Sequence, residues 1–154
     1  MTVRRIASLA VLLLLAAPAH AGDEGMPPVT DPVVRKECGA CHMAFQPGFL
    51  PARSWDRMMA GLSDHFGEDV SLPDDQARAI RDYLLANAGD AAGGGRSAKY
   101  MQWVKPGGTP LRITENPDFL RKHRFAASVW KDPKVMTRSN CLACHRDADL
   151  GIYE

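Results

Sequence analysis

A mainly helical fold is what the sequence predicts, on three observations. Apolar residues recur at three- and four-residue steps in several stretches of the 154-residue chain, which is the spacing of an amphipathic helix. Those stretches carry helix punctuation, with Ser, Asn or Asp at their starts and Gly or Pro at their borders. No stretch sustains the two-residue alternation of a half-buried strand.

The first segment reads MTVRRIASLAVLLLLAAPAHA. Two arginines, an apolar run from Ile6 to Ala17 and the small-x-small end Ala19-His20-Ala21 are the three parts of a secretory signal peptide, residues 1–21. The apolar run is shorter than the roughly 20 residues of a spanning helix, so cleavage and a soluble exported protein, peripheral to a membrane at most, are expected. Cleavage would leave 133 residues, enough for one domain or two small ones. It would also remove Arg4 and Arg5 but no acid, leaving 17 of the 19 basic side chains against 18 acidic ones. No sustained basic face with interleaved aromatics exists, which argues against nucleic acid as a partner. The short cluster RKHR at 121–124 reads as a solvated helix flank.

The remaining elements follow in order. Residues 22–90 are expected to form one unit: a helix bearing CGACH, a second helix, and a closing helix. For the second, Ser54 would cap a run in which Trp55, Met58, Met59, Leu62 and Phe66 recur at helical steps and Gly67 ends it. Asp74 would start the third, running through Ala77, Ile80, Leu84 and Ala88 to Gly89. Residues 91–110, with glycines 93–95 and Pro106-Gly107-Gly108, read as a loop or linker. Residues 111–154 form the last unit. In ENPDFLRKHRFAASVW, Asn116 would cap a helix with Pro117 at its first position and Phe119, Leu120, His123 and Ala127 on one face.

The four cysteines fall into two pairs, Cys38/Cys41 and Cys141/Cys144, each followed at once by His42 or His145. Two disulfides, a four-thiolate zinc site or a redox-active dithiol would use the cysteines. None of these explains the histidine after each pair. Attachment of haem c does: two thiols three positions apart form thioethers on one side of a porphyrin, and the next residue becomes the proximal ligand. Two such motifs in a short exported chain point to two covalently bound haem c groups.

Each iron then needs a second axial ligand. Of five histidines, at 20, 42, 65, 123 and 145, His20 leaves with the signal peptide and two are proximal. His65 and His123 remain, each beside the apolar face of its expected helix, where an imidazole needs a partner for its ring nitrogens. The ligand for the C-terminal haem would therefore come from upstream. Methionine is the competing ligand. Met58 and Met59 have the spacing of core residues, whereas Met101 and Met136 lie in less regular stretches and stay open as alternatives.

The segments CGACHMAFQPGFLPARSW (38–55), LSDHFGEDVSL (62–72), IRDYLLANA (80–88) and NCLACHRDADLGIY (140–153) resemble the bacterial dihaem cytochrome c family. The resemblance implies a periplasmic electron-transfer protein with two bis-His haems. Its fold would be mainly α, with a small cytochrome c-like N-terminal unit and a less regular C-terminal unit wrapped around the second haem. It further implies that Cys38, Cys41, His42 and His65 serve one haem, and Cys141, Cys144, His145 and His123 the other. The implied partners are a membrane b-type cytochrome as donor and a small oxygen-binding haem protein as acceptor, met by a monomer with no enzymatic role. Two rivals differ in class: a peroxidase-like or gas-binding protein with one labile distal ligand, and a structural subunit of a larger complex.

Overall fold

The computed structural model describes residues 25–91 and 94–154. The expected signal peptide, residues 1–21, lies outside the described residues. Among the described residues, six short α-helices and five 3₁₀ turns make up the regular structure. No β-strand occurs among the described residues, where the one strand-like pairing is an isolated bridge between His65 and Glu68. The predicted helical class is what forms.

Helix α1, Pro32–Cys38, starts where Asp31 accepts hydrogen bonds from the backbone N–H groups of Val33 and Val34, with Pro32 at the first position. It delivers Cys38 at its last turn and ends at Gly39. Helix α2 spans Ala52–Met59 and helix α3 Asp74–Ala86. The two pack together, and Arg81 of α3 donates to Asp56 of α2 at 2.7 Å. Val34, Leu50, Trp55, Ile80, Leu84 and Ala88 form the core of this half.

Two expectations for α2 are corrected. Ser54 does not cap it: the helix begins two residues earlier, Ser54 is fully buried, and the carboxylate of Asp90 accepts from Ala52 N at 2.7 Å instead. Nor does the helix continue to Gly67. It stops at Met59, and a 3₁₀ turn at Leu62–Asp64 follows. Asp64 accepts from the Gly67 N–H, and Phe66 and Gly67 take positive φ values of 59° and 103°. A short acceptor side chain competing for backbone donors favours such a turn over helix, so His65 sits in a tight loop. Helix α3 likewise ends at Ala86 rather than Gly89, because the Gly89 N–H bonds the Leu50 carbonyl.

Residues 91–110, expected as a linker, carry helix α4, Gly95–Met101. It buries Ser97 and Tyr100 and packs on the 3₁₀ turn Pro47–Phe49. Met26, Phe49 and Tyr100 make a second core, flanked by Met101, Ile113 and Tyr153. Helix α5, Pro117–Lys122, has the Asn116 cap and Pro117 start that the sequence predicts. It ends at Lys122, however, and helix α6, Ala127–Trp130, is separate. His123 and Ala127 therefore do not share a helix face. The break is at His123 itself, whose backbone leaves helical geometry at φ −106° and ψ 43° while its ring Nδ1–H donates to the Phe119 carbonyl and its ring stacks on Phe119.

The C-terminal segment folds back on the N-terminal half. Met26 N donates to Gly151 O at 2.8 Å, where Gly151 has φ 84° and a Cβ would lie 1.8 Å from the Met26 oxygen. Only glycine fits this crossing.

Candidate functional site

All four motif cysteines, the motif histidines 42 and 145 and the distal candidates His65 and His123 line one cavity of about 1060 Å³. Ligand sites run to roughly 300–1,000 Å³, so this cavity is at the large end of what proteins offer a bound group. Its apolar wall includes Leu50, Trp55, Met58, Leu84, Phe119 and Trp130.

Inside it the histidines form two pairs. The His42 and His65 ring centroids are 6.2 Å apart with planes 21° from parallel. Those of His123 and His145 are 5.9 Å apart at 70°. An imidazole nitrogen lies about 2 Å from a metal it ligates, so two rings facing across one metal bring their centroids to about 6 Å. Both pairs have that separation, and each joins a motif histidine to the distal candidate nearest it in the chain.

The ring nitrogens are prepared for this. Nδ1–H of His42 donates to Met43 O at 2.7 Å, that of His123 to Phe119 O at 2.9 Å, and that of His145 to Glu154 O at 3.1 Å. A carbonyl only accepts, so Nδ1 carries the proton and Nε2 keeps its lone pair, as a metal-binding imidazole requires. Burial, then the nearby His42 and Arg112, hold His65 below the ordinary histidine pKa and so favour its neutral form.

The thiols do not support the other uses of four cysteines. None is joined in a disulfide, and among the described residues no three of His, Cys, Asp and Glu gather as a metal cluster. Burial pushes the Cys141 thiol up to about 11 and, with Glu37, raises Cys38. A redox-active dithiol needs the opposite shift. The methionine alternatives fare no better: Met101 packs against Gly89, Met136 is 74% exposed, and neither lines the cavity. The residues therefore fit two haem groups, which when bound would supply the redox-active iron. The chain's own part is to hold, orient and cover them.

Three contributors escaped the sequence reading. Gln46, fully buried, donates to Ala148 O at 2.8 Å and Asp149 O at 3.2 Å and accepts from the Tyr153 hydroxyl at 2.5 Å. Tyr153 also meets the edges of Phe49 and His145. This network ties the loop after the first motif to the segment after the second. Burial raises the phenol pKa of Tyr153, keeping it a donor. The third is Arg112, whose guanidinium lies 3.8 Å over the Phe66 ring beside His65. A lone Gln, Tyr or Arg has no spacing signal; only the C-terminal position of Tyr153, eight residues after His145, hints at its role.

A family model described as dihaem cytochrome c matches residues 34–153. No curated protein gives a significant match. Among solved structures, the diheme cytochrome c from Rhodobacter sphaeroides is 45% identical over 82% of this chain and 99% of that one, with a TM-score of 0.75. A crystal structure of DHC purified from the same organism gives 44% identity, the same coverages and a TM-score of 0.66. The diheme cytochrome type c from Shewanella baltica OS155 is 32% identical over 80% of this chain and 86% of that one, with a TM-score of 0.63.

Proposed function

The chain belongs to the dihaem cytochrome c family and carries two covalently bound haem c groups, and on that premise we propose that it is a soluble periplasmic electron shuttle with both irons closed by two histidines. Cys38 and Cys41 attach the first haem, with His42 and His65 as axial ligands. Cys141 and Cys144 attach the second, with His145 and His123. The observation that carries this reading is the pair of facing imidazole couples, at 6.2 and 5.9 Å, in one cavity.

Two imidazoles per iron leave no position for substrate, so the protein's work is electron transfer without bond chemistry. Ligation by two histidines sets potentials below those of His/Met cytochromes, and the shared cavity keeps the two groups near each other. Residues 22–90 and 111–154 act as the two haem units, with 91–110 between them. Residues 1–21 direct export.

The donor is a membrane b-type cytochrome and the acceptor a small oxygen-binding haem protein. Charge favours different docking faces for them. Residues 31–90 carry ten acidic and six basic side chains, whereas 119–146 carry seven basic and one acidic, all seven exposed. An acidic partner surface therefore fits the C-terminal unit, with association that slows as salt screens it.

Single variants test the ligand assignment. His65→Ala and His123→Ala should each leave two haems attached and turn one of them into a carbon monoxide-binding centre when reduced. A variant whose reduced spectrum ignores carbon monoxide would remove that histidine from the ligand set.

A further inference from the structure

Helix α4 brings a cationic face to the cavity. Arg96, Lys99 and Tyr100, at positions i, i+3 and i+4, all line it. Ser97 and Met101 turn the other way, to Met26 and Gly89. Arg96 Nε is buried with no hydrogen-bond partner, and neither Arg96 nor Lys99 makes an ion pair among the described residues.

The other cations on the wall are engaged. Lys122 pairs with Asp118 at 2.9 Å, Arg112 lies over Phe66 and within 3.8 Å of Glu115, and the Arg138 guanidinium is 5.2 Å over Trp130. The wall's acids give Arg96 no partner: Asp118 is held by Arg121 and Lys122, Glu37 by Lys36, and Glu68 is exposed. A buried guanidinium donor in an apolar wall is costly unless an anion meets it, and its planar fork matches a carboxylate. The groups this cavity takes bring their own carboxylates, the two propionates that each haem carries.

We propose that Arg96, assisted by Lys99, binds a haem propionate, so that the segment between the two haem units is part of a cofactor site. The inference rests on the reading that both haems occupy this cavity. Its consequence is electrostatic. A fixed positive charge beside the macrocycle favours the reduced state, which carries one more negative charge.

The test is a potentiometric titration of the full-length haem-loaded protein and its variants, followed by the absorption bands of both haems, with haem per chain as the check on assembly. Arg96→Gln should lower one of the two potentials and leave the other in place. Arg96→Lys, which keeps the charge and loses the fork, should recover most of the shift, and Lys99→Gln should lower the same potential by less. Two haems per chain with both potentials unmoved in Arg96→Gln would overturn the proposal. Should Arg96→Gln fail to assemble, Lys99→Gln decides: one potential lowered and the other in place supports the proposal, and both potentials identical to wild type would overturn it equally. A free anion as the occupant would instead make the wild-type potential follow the buffer anion at constant ionic strength, which also contradicts the proposal. Fewer than two haems on the wild-type chain would be a failure of the cavity reading, separate from this one.

Discussion

The His42 and His65 rings face each other with planes 21° from parallel, whereas His123 and His145, at nearly the same separation, are turned by 70°. Imidazole donates to iron through an orbital perpendicular to its ring. Near-parallel rings load one of two iron d orbitals, and crossed rings load both alike. The oxidised protein is therefore expected to give two low-spin electron paramagnetic resonance signals, one rhombic from the first haem and one highly anisotropic from the second. His65→Ala should abolish the rhombic signal and leave the other. Two superimposable rhombic signals would contradict the crossed geometry.

Tyr153→Phe keeps the ring that packs on Phe49 and His145 but removes the hydroxyl bonded to Gln46. The buried Gln46 oxygen then has no donor. Leaving such a group unpaired costs about 1–3 kcal/mol. The denaturant midpoint should fall accordingly with its slope unchanged, and the haem content should stay at two. An unchanged midpoint would show that the hydroxyl does not anchor the C-terminal segment.

Asp118 is nearly buried, with a side chain 10% exposed, and accepts from Arg121 at 2.6 Å and Lys122 at 2.9 Å. Burial opposes its ionisation, but the two cations outweigh it and hold the carboxyl below the ordinary range. Because the folded pKa is the lower one, its stabilising effect is complete above the unfolded value near 3.9 and is lost as pH falls through the folded value. Asp118→Asn should therefore be less stable at neutral pH, by about 1 kcal/mol for a pair whose partners are half exposed. As pH falls below about 4 the deficit should shrink progressively toward wild type. A deficit that persists undiminished at pH 3 would assign the loss to packing.

A short chain with so much of its apolar wall facing the cofactor cavity has little other core. Haem-free protein should accordingly show reduced helix content by circular dichroism and no sharp thermal transition. A cooperative melt of the apo form would contradict the view that the cofactors complete the core.

What the sequence made legible was whatever had a local signature. The Asn116-Pro117 start of α5 is one such case, because cap and first turn lie within three residues. The motif histidines are another, identified by adjacency to a cysteine pair. The start of α2 has no local signature because the carboxylate that meets its first N–H, Asp90, comes from 38 residues away, and Ser54 is the nearer capping side chain in the sequence. His65 and His123 are ligand candidates by histidine count, and the helices expected to carry them end earlier, at Met59 and Lys122. Each stands just beyond a terminated turn, where Asp64 in one case and the His123 ring in the other compete for backbone groups. Gln46 and Arg96 matter through tertiary contacts alone, and α4 was hidden by the glycines before it.

The central claim is that both irons are closed by histidine, and it is tested most directly by the absorption spectrum of the dithionite-reduced wild-type protein with and without carbon monoxide, alongside the haem-to-chain ratio. Two haems per chain and no spectral change with carbon monoxide are the predicted result. A shift in the bands of either haem would contradict it, by exposing a labile or missing distal ligand and turning the protein into a gas-binding or peroxidase-like centre.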